Sequence, residues 1–391
     1  MNKSVPNSET IHFHHYLDGG SRALYSIDWT ALQDNLPLYC RQILSKNASR
    51  TSGKKYTVAP ATGLVLHRHS HIAQQLLGLK AVQVEFPGGW QRCSFRLILE
   101  NDQRVIVTRR AEPARGRFES LLMRRLERLG AAIPRHLAFN GVILIQEDLP
   151  GIRLSEALQH ATEQQYATWM AQALESLSEI RQLALSDGLD QLVPVVGADP
   201  DWLVALIDRT ALLGNYLKLP CPAVPANYLY ERLMLLKPVF NKWDARPGNA
   251  MLGEDSHVSW FDWEHACARN PMDDMAWLLC DDATPEYPAT EQQLIERYLT
   301  DFADGQDADS AFAYLSVFGM HHTCIRICRL LNEKASDTWT DYEKKVGAQP
   351  GSLLKTTRQL CHKASRWACK DKGTAMLSEW FMQIAEHLPR I

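Results

Sequence analysis

The 391-residue sequence holds no CxxC pair, no internal repeat and no low-complexity segment. It also has no apolar run near the ~20 residues that a membrane helix needs. Its nine cysteines, at 40, 93, 221, 267, 280, 324, 328, 361 and 369, are scattered and odd in number. That pattern excludes a disulfide framework. Cys324 and Cys328 stand one helical turn apart, the spacing of half a metal site, and read as buried thiols. Met1 to Thr10 is polar and lacks the apolar core of a secretory signal. The expectation is a cytoplasmic protein with no membrane partner. Hydrophobic residues make up 46% and charged residues 22%, which excludes disordered, collagenous and fibrous classes. With a net charge of -3 and no nucleic-acid motif, a nucleic-acid partner is excluded as well.

The small net charge hides an asymmetry. Residues 1–150 hold 20 Lys and Arg against 12 Asp and Glu, residues 151–350 hold 15 against 30, and residues 351–391 hold 7 against 3. A basic region beside an acidic one suits a polyanion held near a cationic ligand.

Residues 1–80 carry the weakest pattern. Asp28 to Ser45 reads as a helix interrupted by proline, and Asn47 to Lys55 as a loop. His67, His69 and His71 alternate in HRHSH, with His12, His14 and His15 nearer the start. Alternating histidines on one strand face can bind metal, but no cysteine or carboxylate accompanies them, so surface histidines are expected. After Lys80 the pattern sharpens. Val82–Phe86, Arg92–Glu100 and Arg104–Arg109 alternate as strands, with a Pro-Gly-Gly-Trp turn at 87–90. Phe118–Leu129 has helical periodicity and closes at Gly130, and Pro134–Ala138 and Gly141–Gln146 read as two more strands. Beyond Pro150-Gly151 the chain is mostly helical, except for a strand-and-loop island from Val239 to Asp262.

That island and its continuation carry the chemistry. Asp244 sits in a loop, Pro247-Gly248 turns it, and Asn249 follows. Ala250–Leu252 and Val258–Phe261 form a hairpin that brings Asn249 and Asp262 to one rim. An amide oxygen and a carboxylate are hard ligands that suit Mg²⁺. Asp244 nearby can orient a hydroxyl or accept its proton. Two Mg²⁺ ligands and a carboxylate base are what phosphoryl transfer requires, since most of that catalysis is positioning and charge neutralisation.

The segment Lys242-Trp243-Asp244-Ala245-Arg246-Pro247-Gly248-Asn249 resembles the catalytic loop H-G-D-x-H-P-G-N of the aminoglycoside phosphotransferase and choline kinase family. Phe261-Asp262-Trp263-Glu264 is similar to its I-D-W/F-E segment, and Asn270-Pro271-Met272-Asp273-Asp274-Met275-Ala276 to its D-P-x-x-D-L-A. The resemblance spans residues 81–335 and is strongest over 240–279. It implies an α+β, bilobal protein-kinase-like fold: an N-terminal extension (1–80), a small antiparallel sheet N-lobe that binds nucleotide (81–150) and a mostly helical C-lobe (151–391). It implies ATP and Mg²⁺ as cofactors, Asp244 as the catalytic base, Asn249 and Asp262 as metal ligands, and Asp274 as the brace of the catalytic loop. Gly88 and Gly89 occupy the nucleotide-covering turn. Arg109 ends the strand whose cation holds the α/β-phosphates, with Arg110 the alternative register, and Glu119 is that cation's partner. Glu147 and Leu149 lie in the hinge that receives adenine.

Three features depart from the pattern: Lys242 and Trp243 replace His-Gly, Arg246 replaces the second His, and the glycine turn is not G-x-G-x-x-G. Lys242 is expected to support the loop by pairing with a carboxylate or to titrate low. An active enzyme is expected, because Asp244, Asn249 and Asp262 are all present. The acceptor is expected to be a small-molecule hydroxyl compound. The acidic run of Asp281, Asp282, Glu286, Asp301, Asp304, Asp307 and Asp309 favours a cationic one, such as an amino sugar, aminocyclitol or amino alcohol. His321, His322 and Arg326 argue for an anionic group. Two other readings stand beside this one: a nucleotide-binding regulatory protein that contacts a protein partner through residues 1–80, and a kinase acting on a protein or glycan. The dozen residues from Asp262 to Asp274 leave no room for a long activation segment.

Overall fold

Phe95, Leu97 and Leu99 alternate with half-buried neighbours along one strand, and Val105 and Val107 are buried on either side of half-buried Ile106 along the next. Alternation of period two places each set on one face. In the computed structural model, which describes residues 10–16, 22–28, 60–87, 93–346 and 348–389, these strands lie in a five-stranded antiparallel sheet of order β3-β4-β5-β7-β6. The strands are β3 (Ala81–Glu85), β4 (Ser94–Leu99), β5 (Arg104–Arg109), β6 (His136–Phe139) and β7 (Ile143–Glu147). Ahead of them, β1 (Thr10–Tyr16) and β2 (Arg22–Asp28) pair as an antiparallel hairpin, and helix α1 spans Pro60–Leu77. The expected helix from Asp28 to Ser45 lies outside the described residues, apart from Asp28 at the end of β2.

Two compact units divide the chain. One falls within residues 1–124 and 135–148, the other comprises 125–134 and 149–391. In the first unit α1 packs on β5, β6 and β7, and its Ala73 is buried with Val84, Leu97, Val105, Ile143 and Ile145. The HRHSH stretch is therefore helical, not a strand. His69 turns inward and is buried, while His71 stays exposed. Burial first, then the charges of Arg109 and Arg68, push the His69 imidazole down to about 4. Helix α2 (Pro113–Arg128) follows β5, and its Ser120 hydroxyl bonds the His136 ring at 2.8 Å.

The second unit is mostly helical. Its helices are α3 (Leu154–Leu158), α4 (Glu163–Ser186), α5 (Pro200–Ile207), α6 (Arg209–Leu217), α7 (Ala226–Leu233), α8 (Met272–Leu279), α9 (Pro288–Ala303), α10 (Ala308–Lys334), α11 (Trp339–Val346), α12 (Ser352–Ala368) and α13 (Leu377–His387). Helix α4 opens on a capping box in which Thr162 and Gln165 satisfy each other's backbone N–H. Helix α10 opens on Asp307, whose side chain accepts from the Ser310 N–H. A three-stranded sheet joins β8 (Ile152–Arg153), β10 (Ala250–Leu252) and β11 (Val258–Trp260), and β9 (Val239–Asn241) pairs with β12 (Cys267–Arg269). The Ser176 hydroxyl of α4 donates to the Val258 carbonyl at 2.7 Å and ties helix to hairpin. Among the described residues no helix is long and apolar enough to cross a membrane.

Candidate active site

The loop between β9 and β10 carries residues 242–249, and three features fix it. Its entry is held by the β9–β12 ladder, where Asn241 opposes Cys267. Its exit is the β10–β11 hairpin, where the Phe261 N–H donates to the Asn249 carbonyl at 3.0 Å. That bond sets Asn249 and Asp262 on one rim, as the hairpin pattern predicts. Its middle is held by Asp274 in the first turn of α8, whose two carboxylate oxygens accept the N–H groups of Lys242 and Trp243, both at 2.8 Å.

The brace holds a strained backbone. Trp243 and Asp244 are in the left-handed region, with φ of 44° and 57°, and so is Asp262, at 65°. Such conformations cost a non-glycine residue about 1–3 kcal/mol each and persist where surrounding bonds over-determine them. The glycine of the family pattern falls at Trp243, a position whose φ explains that glycine. In this chain the indole compensates by setting its edge against Trp277, with ring centroids 6.0 Å apart. Asp274 is 4% exposed, and burial pushes its carboxyl up to about 7 against the pull of the two N–H groups and of Lys242.

Lys242 is 1% exposed. Its ammonium donates to the Asp262 main-chain carbonyl at 3.0 Å and lies over the rings of Trp263 and Trp260, 5.1 and 5.8 Å from their centroids. A cation thus stands behind the backbone of the metal-ligand candidate, held by a carbonyl and two π-faces. Trp263 in turn donates from Nε1 to the Trp260 carbonyl at 2.9 Å.

Around Asp244 the contacts are tight. The Asn249 amide donates from Nδ2 to the Asp244 carboxylate at 2.8 Å and to its main-chain carbonyl at 3.1 Å. With Nδ2 committed twice, Oδ1 is the amide atom left for a cation. That oxygen and the Asp262 carboxylate are hard donors, and they fit magnesium, which takes one or two side chains and shares the rest of its shell with phosphate and water. The Arg246 guanidinium comes within 3.8 Å of the Asp244 carboxylate. Arg153 donates to the Gly248 carbonyl at 3.3 Å.

In the first unit, Glu119 is fully buried and binds a guanidinium through two bonds of 2.6 Å. That guanidinium belongs to Arg110, which corrects the expected pairing with Arg109. Arg109 is the last residue of β5 and shares the face of Val105 and Val107, which α1 covers. Arg110 falls on the other side, against Gly116 of α2. Removing one partner of a buried pair strands the other charge, at a cost of roughly 3–5 kcal/mol. Arg110→Met is therefore expected to lower stability by that order in urea melts, and Arg109→Met, at an exposed position, by less than about 0.5 kcal/mol.

The remaining site expectations divide. Gly88 and Gly89 lie outside the described residues. The Glu147 carboxylate pairs with Arg135 at 3.2 Å, and Leu149 begins the second unit directly after Asp148. Much of the acidic run is engaged elsewhere. Asp282 pairs with Arg326, Asp304 with Lys237 at 2.7 Å and Glu286 with Arg366 at 3.9 Å, while Asp307 caps α10. Asp281 is buried, and burial with the neighbouring charge of Asp282 pushes its carboxyl up to about 6. A carboxyl raised above its unfolded value of 3.8 costs stability progressively as pH rises from about 4 to about 6. Asp281→Asn is expected to remove that slope and to be more stable than wild type at pH 7, as urea melts across pH 4–7 will read. Trp277 carried no sequence signal beyond its apolar class, and its role follows from the edge of Trp243 upon it.

The geometry accords with the family comparison. A model of the phosphotransferase enzyme family (APH) matches residues 82–311. The chain belongs to that family. It is a phosphotransferase by membership. Its fold is shared with solved structures at low identity. A GDP complex of a point mutant of aminoglycoside 2'-phosphotransferase-IIIa superposes with a TM-score of 0.50 at 15% identity, covering 78% of this chain and 99% of that one. Choline kinase LicA from Streptococcus pneumoniae gives 0.46 at 13% identity, with 76% and 98% covered. Spectinomycin phosphotransferase APH(9)-Ia, in complex with ADP and spectinomycin, gives 0.49 at 11%, with 75% and 97% covered. No curated protein sequence matches the chain.

Proposed function

We propose that this phosphotransferase moves the γ-phosphoryl group of ATP to a hydroxyl of a small molecule, with magnesium at Asn249 and Asp262. The observation that carries the reading is the pair of hydrogen bonds from Asn249 Nδ2 to Asp244, which ties the carboxylate we assign as base to the amide we assign as metal ligand on one short loop. Asp244 orients the acceptor hydroxyl and takes its proton as the oxygen attacks. Asp274 keeps Asp244 in its left-handed conformation through the two preceding N–H groups. Lys242 holds the Asp262 backbone from behind. Arg110, gripped by Glu119, is the cation we assign to the nucleotide phosphates, since a bidentate carboxylate pins its guanidinium in one orientation. Glu147 and Leu149 mark the segment assigned to adenine, and Gly88 and Gly89 the turn assigned to the phosphates. Bound magnesium supplies charge neutralisation of the β- and γ-phosphates.

The amino sugars, aminocyclitols and amino alcohols named above are to be screened together with neutral hydroxyl compounds. The test is acceptor-dependent ADP release with ATP and Mg²⁺, with GTP as the parallel donor. Release above the nucleotide-only rate in the presence of a hydroxyl compound, lost without Mg²⁺, is the expected result. Release that no hydroxyl compound raises, from either donor, contradicts the proposal.

A further inference from the structure

The end of α8 and the turn of α10 packed against it carry side chains that the transfer chemistry does not use. Trp277 of α8 lies between Trp243 of the catalytic loop and the His322 ring of α10, whose centroid is 4.3 Å from its own. One turn beyond His322, Arg326 pairs with Asp282, and Asp281 and Asp282 both feel the charge of Arg246 from the catalytic loop. Arg326 in turn feels the charge of Asp244. This wall therefore adjoins the catalytic carboxylate.

Its charges cancel. Three carboxylates, Asp281, Asp282 and Asp244, stand with three cations, Arg246, Arg326 and Lys363 of α12. Burial pushes the His322 imidazole down to about 3, so the ring is neutral. A balanced wall offers no field to gather a polycation.

Its hydrogen-bonding capacity is not spent. Asp281 is 3% exposed; its Oδ1 accepts from the Ala283 N–H at 2.9 Å, and its Oδ2 finds no partner among the described residues. The same holds for Nε2 of His322 and Nε1 of Trp277. Buried polar atoms without partners cost free energy that a bonding ligand recovers. The loop that carries Asp281 is held in place. The buried Lys363 ammonium of α12 donates to the carbonyls of Asp281 and Thr284, both at 2.8 Å. Flat aromatic rings beside unspent donors and acceptors match a ligand with C–H faces and a hydroxyl rim.

We infer that this wall receives a neutral polyhydroxylated acceptor, a sugar or polyol, and that Asp281 accepts a hydrogen bond from one of its hydroxyls. The inference rests on the phosphotransferase reading and narrows its acceptor. Asp281→Asn keeps the shape, and with Oδ1 still serving Ala283 it turns the unpaired oxygen into a donor.

The experiment measures ADP release by wild type and Asp281→Asn with Mg-ATP on glucose, sorbitol and myo-inositol, and on the charged counterparts glucosamine and glucuronate. A parallel thermal melt with Mg-ATP reads nucleotide binding. The expected result is a higher kcat/KM for a neutral compound than for either charged one. In the variant the KM of that compound rises about tenfold or more, while the nucleotide KM and the Mg-ATP melting shift stay put. A preference for a charged compound, an acceptor KM that the variant leaves unchanged, or intact Mg-ATP binding with turnover of no neutral compound overturns the inference and leaves the phosphotransferase reading standing. A wild type that shows no Mg-ATP shift overturns the reading beneath it.

Discussion

Asp244→Ala is expected to lower kcat by roughly 10²–10⁴-fold, the usual contribution of a positioned general base, and to leave the nucleotide KM within a factor of about three. The two effects separate because of how Asn249 is held. Its Nδ2 bonds both the carboxylate and the main-chain carbonyl of residue 244, and the second bond survives truncation of the side chain. The metal-ligand amide therefore keeps its orientation while the base is gone. Steady-state kinetics with varied ATP at saturating acceptor reads both numbers. A parallel fall in nucleotide affinity would mean that the Asp244 carboxylate, not the backbone bond, orients Asn249. Wild-type turnover would remove Asp244 from catalysis.

Asp274→Ala is expected to strike stability and activity together. It leaves the N–H groups of Lys242 and Trp243 buried without partners, each at roughly 1–3 kcal/mol. It also releases the two left-handed residues that those bonds hold. Burial of the carboxylate itself is unfavourable, as its raised pKa shows, so its removal offsets part of the loss. The expected net cost is on the order of 2–4 kcal/mol in urea melts, with turnover falling toward that of Asp244→Ala. Asp274→Asn separates brace from charge: it retains one acceptor for two donors, and a position between wild type and Asp274→Ala in both assays is expected. Full activity in Asp274→Ala would mean that the loop conformation is set by the β9–β12 and β10–β11 ladders alone.

Much of this was legible in the chain because it is local. The strands of the sheet announce themselves by alternation, and the hairpin that unites Asn249 with Asp262 follows from two short apolar runs around Glu254-Asp255. What resisted reading depends on partners distant in sequence. Alternation says which residues share a face but not at which residue a strand stops, and a slip of one at the end of β5 exchanges Arg109 for Arg110 as the partner of Glu119. The HRHSH stretch alternates like a strand, yet the helix that contains it is set by packing of Ala73 and its neighbours on the sheet. The acidic run after α8 suggested a cationic ligand by count. The count could not reveal that Arg326, Lys237 and Arg366 answer Asp282, Asp304 and Glu286. The convergence of the Asp262 carbonyl and the Trp260 and Trp263 rings on the Lys242 ammonium likewise depends on residues distant in sequence.

The most direct measurement is the thermal stability of wild type and Asp262→Asn with ATP, in the presence and absence of Mg²⁺. The account predicts a magnesium-dependent rise in melting temperature for wild type that Asp262→Asn loses, because the hard carboxylate at the hairpin rim is half of the protein's share of the ion. Equal magnesium-dependent shifts in the two proteins, or no shift in wild type with millimolar Mg-ATP or Mg-GTP, would contradict it.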